Sequence, residues 1–160
     1  MPEILLSFIL VASCFSCIYL VHAIFFATIK EDAILAAFGA SAVLSFGSQT
    51  TSYGTKDAFF GAVIGAIVGV SITYLEIPAT VGSILSISIC IAIMQASQII
   101  YPPGGAISLI PIMANQQLQE LGFLFVLSPV CTGICVLLLF SKLKNLINKT
   151  SWQVQKQSKS

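Results

Sequence analysis

The charged residues of this chain stand only at the edges of long uncharged stretches, and that placement constrains the fold more than any other feature. They are Glu3, then Lys30, Glu31 and Asp32, then Lys56 and Asp57, then Glu76, Glu120, Lys142, Lys144, Lys149, Lys156 and Lys159. Between them lie uncharged runs at 4–29, 33–55, 58–75, 77–119 and 121–141. A charge near the centre of a bilayer costs about 2.5–3.5 kcal/mol on insertion scales. Keeping every charge at a segment end avoids that cost along the whole chain. Only 8% of the 160 residues are charged and 57% are apolar, against roughly 25% charged in soluble domains. These figures exclude a soluble domain, a disordered chain and a coiled coil. The net charge is +1 and arginine is absent, so nothing favours nucleic acid and the usual bidentate anion clamp is missing.

The fold class expected is all-α: a polytopic transmembrane helix bundle of five to six membrane segments, two of them short or broken. A spanning helix takes about 20 apolar residues. Residues 4–29, 58–75, 79–100 and 121–140 meet that length, whereas 33–47 and 103–114 fall short. The first short piece runs into the polar loop Ser48–Thr55; the second contains Pro111 and runs into the loop Asn115-Gln116-Gln117. The order long, short, long therefore occurs twice, which suggests two structural halves at about 4–75 and 79–140. Paired short or Gly/Pro-broken segments are the best sequence pointer to a transporter's binding site. Six spans result if both short pieces cross, five if 103–114 dips in and returns.

Residues 1–141 are expected to form the membrane domain and 142–160 a lysine-rich, disordered cytoplasmic tail. Five of the seven lysines lie after residue 141, which places the C-terminus in the cytoplasm. A bacterial inner membrane is the expected location. The first segment does not read as a signal peptide, because it lacks a positive start and its apolar run is too long.

The most informative stretch is Tyr101-Pro102-Pro103-Gly104-Gly105-Ala106. Prolines suit the start of a helix, glycines let a ligand or a second backbone come close, and the first N–H groups of a helix lack partners. Such a terminus favours an anion by about 0.3–1 kcal/mol. A tight turn with glycines kept only for packing is the plainer reading of the same residues.

Residues Ile34 to Leu44, followed by Phe46-Gly47-Ser48, together with Pro102-Pro103-Gly104-Gly105-Ala106, resemble the two signatures of the HPP family of integral membrane proteins. Met94 and Ser128-Pro129-Val130 are similar to further family positions, and the resemblance covers about 33–140. It implies a small multi-span protein, and some members are described as nitrite transporters. Two departures stand out: the name-giving histidine is Tyr101 here, and the family's Ala-Gln-Pro-Arg loop reads Gly54-Thr55-Lys56-Asp57.

His22 lies inside the first long segment, as a proton relay or as a helix-packing hydrogen bond. Gly61, Gly65 and Gly69 repeat every four residues and mark a helix-packing face. Cys14, Cys17, Cys90, Cys131 and Cys135 are expected to be small hydrophobes, with no metal site and no cofactor.

The function expected is a transporter or channel for a small inorganic anion, with nitrite leading through the resemblance. The anion would be held at half-helix N-termini, near Gly39, Ala40 and Ser41 and near Gly104, Gly105 and Ala106. Tyr101 and Pro103 frame that turn, the Ser41 and Ser108 hydroxyls assist, and Gln95 and Gln98 limit dehydration. The alternative is a structural or regulatory membrane subunit acting through the glycine face. An enzyme is not expected, because neither paired membrane carboxylates nor a Ser/His/Asp arrangement is readable. The expected partners are the bilayer, the anion and further copies of the chain in a homo-oligomer.

Overall fold

The computed structural model describes residues 2–25, 38–47, 54–114 and 116–157. All regular structure among them is helical. Helix α1 is Pro2–Phe25; α2 comprises residues 38–47 and ends in a π-turn at Val43–Gly47; α3 is Thr55–Thr73; α4 is Ala79–Ala96; α5 is Pro102–Met113; α6 is the single turn Gln116–Gln119. A second π-turn at Val126–Cys131 leads into α7, Thr132–Gln157.

Among the described residues, three helical runs are long and apolar enough to cross a membrane: Thr55–Thr73, Ala79–Ala96 and Val126–Ile147. The apolar helices Leu6–Val21 and Pro102–Met113 are shorter. The all-α membrane bundle is therefore as the charge placement implies. In the second half the long, short, long order is seen as α4, α5 and α7.

Four boundaries differ from the sequence reading, each for a local reason. Helix α4 stops at Ala96 rather than near 100 because Gln98 takes a left-handed conformation with φ 56°. Its N–H reaches the Gln95 carbonyl at 3.2 Å, and the Ile99 N–H reaches the Met94 carbonyl at 3.0 Å. These two bonds form a Schellman motif, which satisfies the last carbonyls of the helix. The last span starts at Val126 rather than 121, because residues 120–123 form a turn in which Gly122 takes a left-handed conformation with φ 49°. Ser128, with φ −143° and ψ 125°, breaks the helix just before Pro129, since proline disfavours helical geometry in the residue preceding it. The expected loop at 115–117 includes the start of the single turn α6. The tail expected to be disordered is helical through Gln157, so the 141/142 boundary falls within one continuous helix. No proline or glycine follows Gly133 to end it.

Helices α3 and α5 run parallel, with α4 antiparallel between them in sequence. Gly61 lies against Tyr101, Gly65 against Gly104, and Gly69 against Ser108. A Cβ added at any of the three would strike the α5 backbone or the Tyr101 Cβ. The small-residue stripe therefore brings two backbones together by van der Waals packing. Helix α4 joins through the Ser86 hydroxyl, which donates to the Ser108 carbonyl at 3.0 Å. Met94 packs beside Gly104.

The second half of the chain returns to the start of α5. The Tyr74 and Phe123 rings stack at 5.9 Å, so residue 123 lies at the far end of α3. Lys142 then lies beside Thr55 and Tyr101, at the near end. The segment 102–123 thus passes from one end of α3 to the other rather than dipping in and returning. Phe38 fills the space beside Gly133, while Ser141 and Lys144 donate to the Ser45 and Phe46 carbonyls. Helix α2 therefore lies alongside α7. One core cluster joins α1, α2, α3 and α7 through Leu10, Cys14, Ile18, Phe38, Phe46, Ala62, Ala66 and Leu137.

Candidate functional site

Two cavities border Tyr101, one polar and one apolar. The first is about 70 Å³ and lies at the end of the bundle, where α2, α3 and α7 meet. Its lining includes Ser45, Thr55, Tyr101, Ser141, Lys142 and Asn145. The π-turn of α2 brings Ser45 there, the first turn of α3 brings Thr55, and one face of α7 brings Ser141, Lys142 and Asn145. The Gly54 N–H, just ahead of α3, donates to the Asp57 carboxylate at 3.0 Å. Asp57 is spent on that cap and is not part of the lining. Lysines 56, 142 and 144 stand at this end of the bundle, while Glu76 and Glu120 stand at the other.

The second cavity is about 400 Å³, between α4 and α5. Ile87, Ile91, Met94 and Ile100 give it apolar walls, and Gln95, Tyr101, Gly105 and Ala106 complete much of the lining. Four residues expected to bind substrate therefore do meet around one space: Gln95, Tyr101, Gly105 and Ala106.

The other expected residues are used differently. Pro103, Gly104 and Ser108 are buried, with Gly104 and Ser108 in the seam with α3 and α4. The Ser108 hydroxyl donates within its own helix to the Gly105 carbonyl at 2.8 Å. Gln98 is exposed and closes α4. Gly39 is half-buried and Ala40 exposed, and neither borders either cavity. Ser41 is fully buried and its side chain interacts with Tyr101. His22 sits on α1, but its side chain lies outside the described residues. Cys14 and Cys90 are buried, Cys17 and Cys131 half-buried, and Cys135 exposed.

The start of α5 offers an anion fewer donors than a typical helix start. Pro102 and Pro103 have no N–H, and the Gly104 N–H donates to the Tyr101 carbonyl at 2.9 Å. The polar side chains that border open space, Gln95 apart, belong instead to the pocket at the lysine-bearing end. Sequence reasoning missed Ser45, Thr55, Ser141, Lys142 and Asn145. A signal was present in Ser141, Lys142 and Asn145, which share one face of a helix at positions i, i+1 and i+4.

The glycine face is covered by α5 of the same chain. A subunit that recruits partners through Gly61, Gly65 and Gly69 would find that surface already occupied.

Comparison with known proteins agrees with this architecture. The family model described as "HPP, transmembrane region" matches residues 1–153. A transmembrane protein of Dictyostelium discoideum is 30% identical over 121 residues, covering 72% of this chain and 42% of that protein. A second transmembrane protein of the same organism is 32% identical over 125 residues, covering 74% of this chain and 40% of that one. The chain thus spans about two fifths of the length of these curated relatives. No solved structure matches it. With the family model covering nearly the whole chain and the spans in place, this multi-pass membrane protein belongs to the HPP transmembrane family.

Proposed function

We propose that this chain carries a small inorganic anion across the membrane, with nitrite the first substrate to test. The observation that supports this most is the polar pocket of about 70 Å³ at the lysine-bearing end. A cavity needs roughly 10–15 Å³ to hold one water, so the pocket suits a small, partly hydrated ion. Among the described residues its lining holds hydroxyl and amide side chains and Lys142, with no Asp or Glu. In this reading side chains hold the ion, because the donors at the start of α5 are mostly spent or missing. The lysine-bearing end faces the cytoplasm, as the bias of lysine toward that side requires. The exposed apolar residues of α4, among them Val81, Ile84 and Ile91, meet lipid or a second copy of the chain. No catalytic step is part of this reading.

The test is nitrite entry into liposomes holding the purified full chain, with and without an inward proton gradient. Uptake above that of protein-free liposomes, lowered by Lys142→Gln, is expected. Uptake that rises with the gradient beyond the protein-free control marks a coupled carrier; gradient-independent uptake marks a passive route. No protein-dependent uptake rejects nitrite. Uptake unchanged in Lys142→Gln rejects the pocket.

A further inference from the structure

Among the described residues Tyr101 is the one fully buried tyrosine, with 2% of its surface exposed. It borders both cavities: the polar pocket with Thr55 and Lys142, and the apolar space with Gln95 and Gly105. Its backbone is the N-cap of α5 and is followed by two prolines, so the chain there has little freedom. Its Cβ is pressed against Gly61, where an added Cβ would also come within 3.1 Å of the ring's Cγ. The side chain also interacts with Ser41 of α2. The ring is therefore held from α3, α5 and α2, and Tyr101 belongs to the linings of both spaces.

We propose that the Tyr101 ring is the partition between the polar pocket and the apolar cavity, and so the constriction of a path that joins them. A phenol suits that place when the traveller is an anion. Its hydroxyl donates a hydrogen bond, while its ring keeps the two spaces apart at rest. A turn of the ring about its side-chain torsions opens the path with no displacement of α3 or α5, whose backbones are locked together by the glycine contacts. This deepens the transport reading and rests on it for the identity of the traveller, whereas the partition itself is tested without any solute.

The reporter is Gly105→Cys, because a side chain added at Gly105 meets nothing within 4 Å and enters the apolar cavity. The full chain is placed in liposomes and exposed to a negatively charged methanethiosulfonate from the face that carries the C-terminal part of α7. Modification is followed on the peptide containing residue 105, so the native cysteines do not interfere. Slow modification is expected in Gly105→Cys alone and in its Tyr101→Phe double variant. Adding Tyr101→Ala is expected to raise the rate about tenfold, a drop of about 1.4 kcal/mol in the entry barrier. Where Tyr101→Ala fails to fold, Tyr101→Leu replaces it with the same expectation in direction. Equal rates with and without the ring overturn the proposal. Fast modification of Gly105→Cys with Tyr101 intact overturns it too, because the cavity is then wetted without passing the ring. Nitrite uptake in the same liposomes is scored separately: its absence counts against the transport reading, while the modification rates still decide the partition.

Discussion

One face of α5 is closed by backbone contact and the other borders open space, although residues of both faces sit side by side in one motif. A Cβ on Gly104 would collide with the Gly61 carbonyl and the Met94 methyl; a Cβ on Gly105 would meet nothing within 4 Å. The two glycines therefore serve opposite ends. Gly104 lets α3 and α5 approach to backbone distance, and Gly105 keeps the wall of a cavity of about 400 Å³ low. The seam is where this fold takes its rigidity. The open face is where a side chain can change without disturbing that seam.

The sharpest way to break the comparison is to place the same side chain on both faces. Gly65→Leu drives a leucine into the Gly104 carbonyl, backbone against which no rotamer can retreat. Overpacking of this kind costs about 1–3 kcal/mol and more where backbone is in the way. We expect the upper end of that range or beyond, read as a collapse of the melting temperature in detergent and loss of a monodisperse species. Gly105→Leu is expected to stay within about 1 kcal/mol of the parent and to lower nitrite uptake where the parent shows any. Similar melting for the two variants would mean that the faces are not different in kind. Unchanged uptake in a folded Gly105→Leu would remove the apolar cavity from the transport path.

Much of the fold was legible because the bilayer penalises charge so heavily that the segment ends are written into the positions of the lysines and acids. Gly61, Gly65 and Gly69 announced a packing face for the same kind of reason, since only glycines at that spacing let backbones touch. What they touch was not legible. The stripe suits a second chain as well as α5, and the choice depends on where a short helix with two leading prolines comes to rest. The residues expected to bind substrate divide between an open space and the packed seam. Gln95, Tyr101, Gly105 and Ala106 do meet around one space, but Gly104 and Ser108, adjacent to them in sequence, turn into the seam. Lys142 looked like the first residue of a tail because a charge after a long apolar run marks the membrane edge. Only the return of α7 to the start of α3 puts it in a pocket.

Gln98 supplies a smaller test, at the edge of the open face. It ends α4 with φ 56°, a conformation that costs an L-residue roughly 1–2 kcal/mol and glycine almost nothing. If its work is to end the helix, Gln98→Gly raises stability by up to about 1 kcal/mol and leaves uptake unchanged. If its amide meets the solute, uptake falls while stability rises. The two outcomes separate a conformational role from a binding role at one position, and the open face keeps Gln98 as a ligand only in the second.

The smallest expected effect lies in the seam and measures what its polar contacts add to the packing. The Ser86 hydroxyl is fully buried and donates 3.0 Å across to the Ser108 carbonyl, joining α4 to the middle of α5. Hydrogen bonds between membrane helices average about 0.6 kcal/mol, because the separated helices also find partners for these groups. Ser86→Ala keeps nearly the same volume, so its melting shift isolates that bond, and a loss near 0.6 kcal/mol is expected. A loss above about 2 kcal/mol would mean that α5, short and interrupted by Pro111, depends on this tether as much as on the glycine contacts. The closed face would then be held from two sides. A shift too small to measure would leave packing alone, the three glycines against α5 and Met94 against Gly104, to hold the seam.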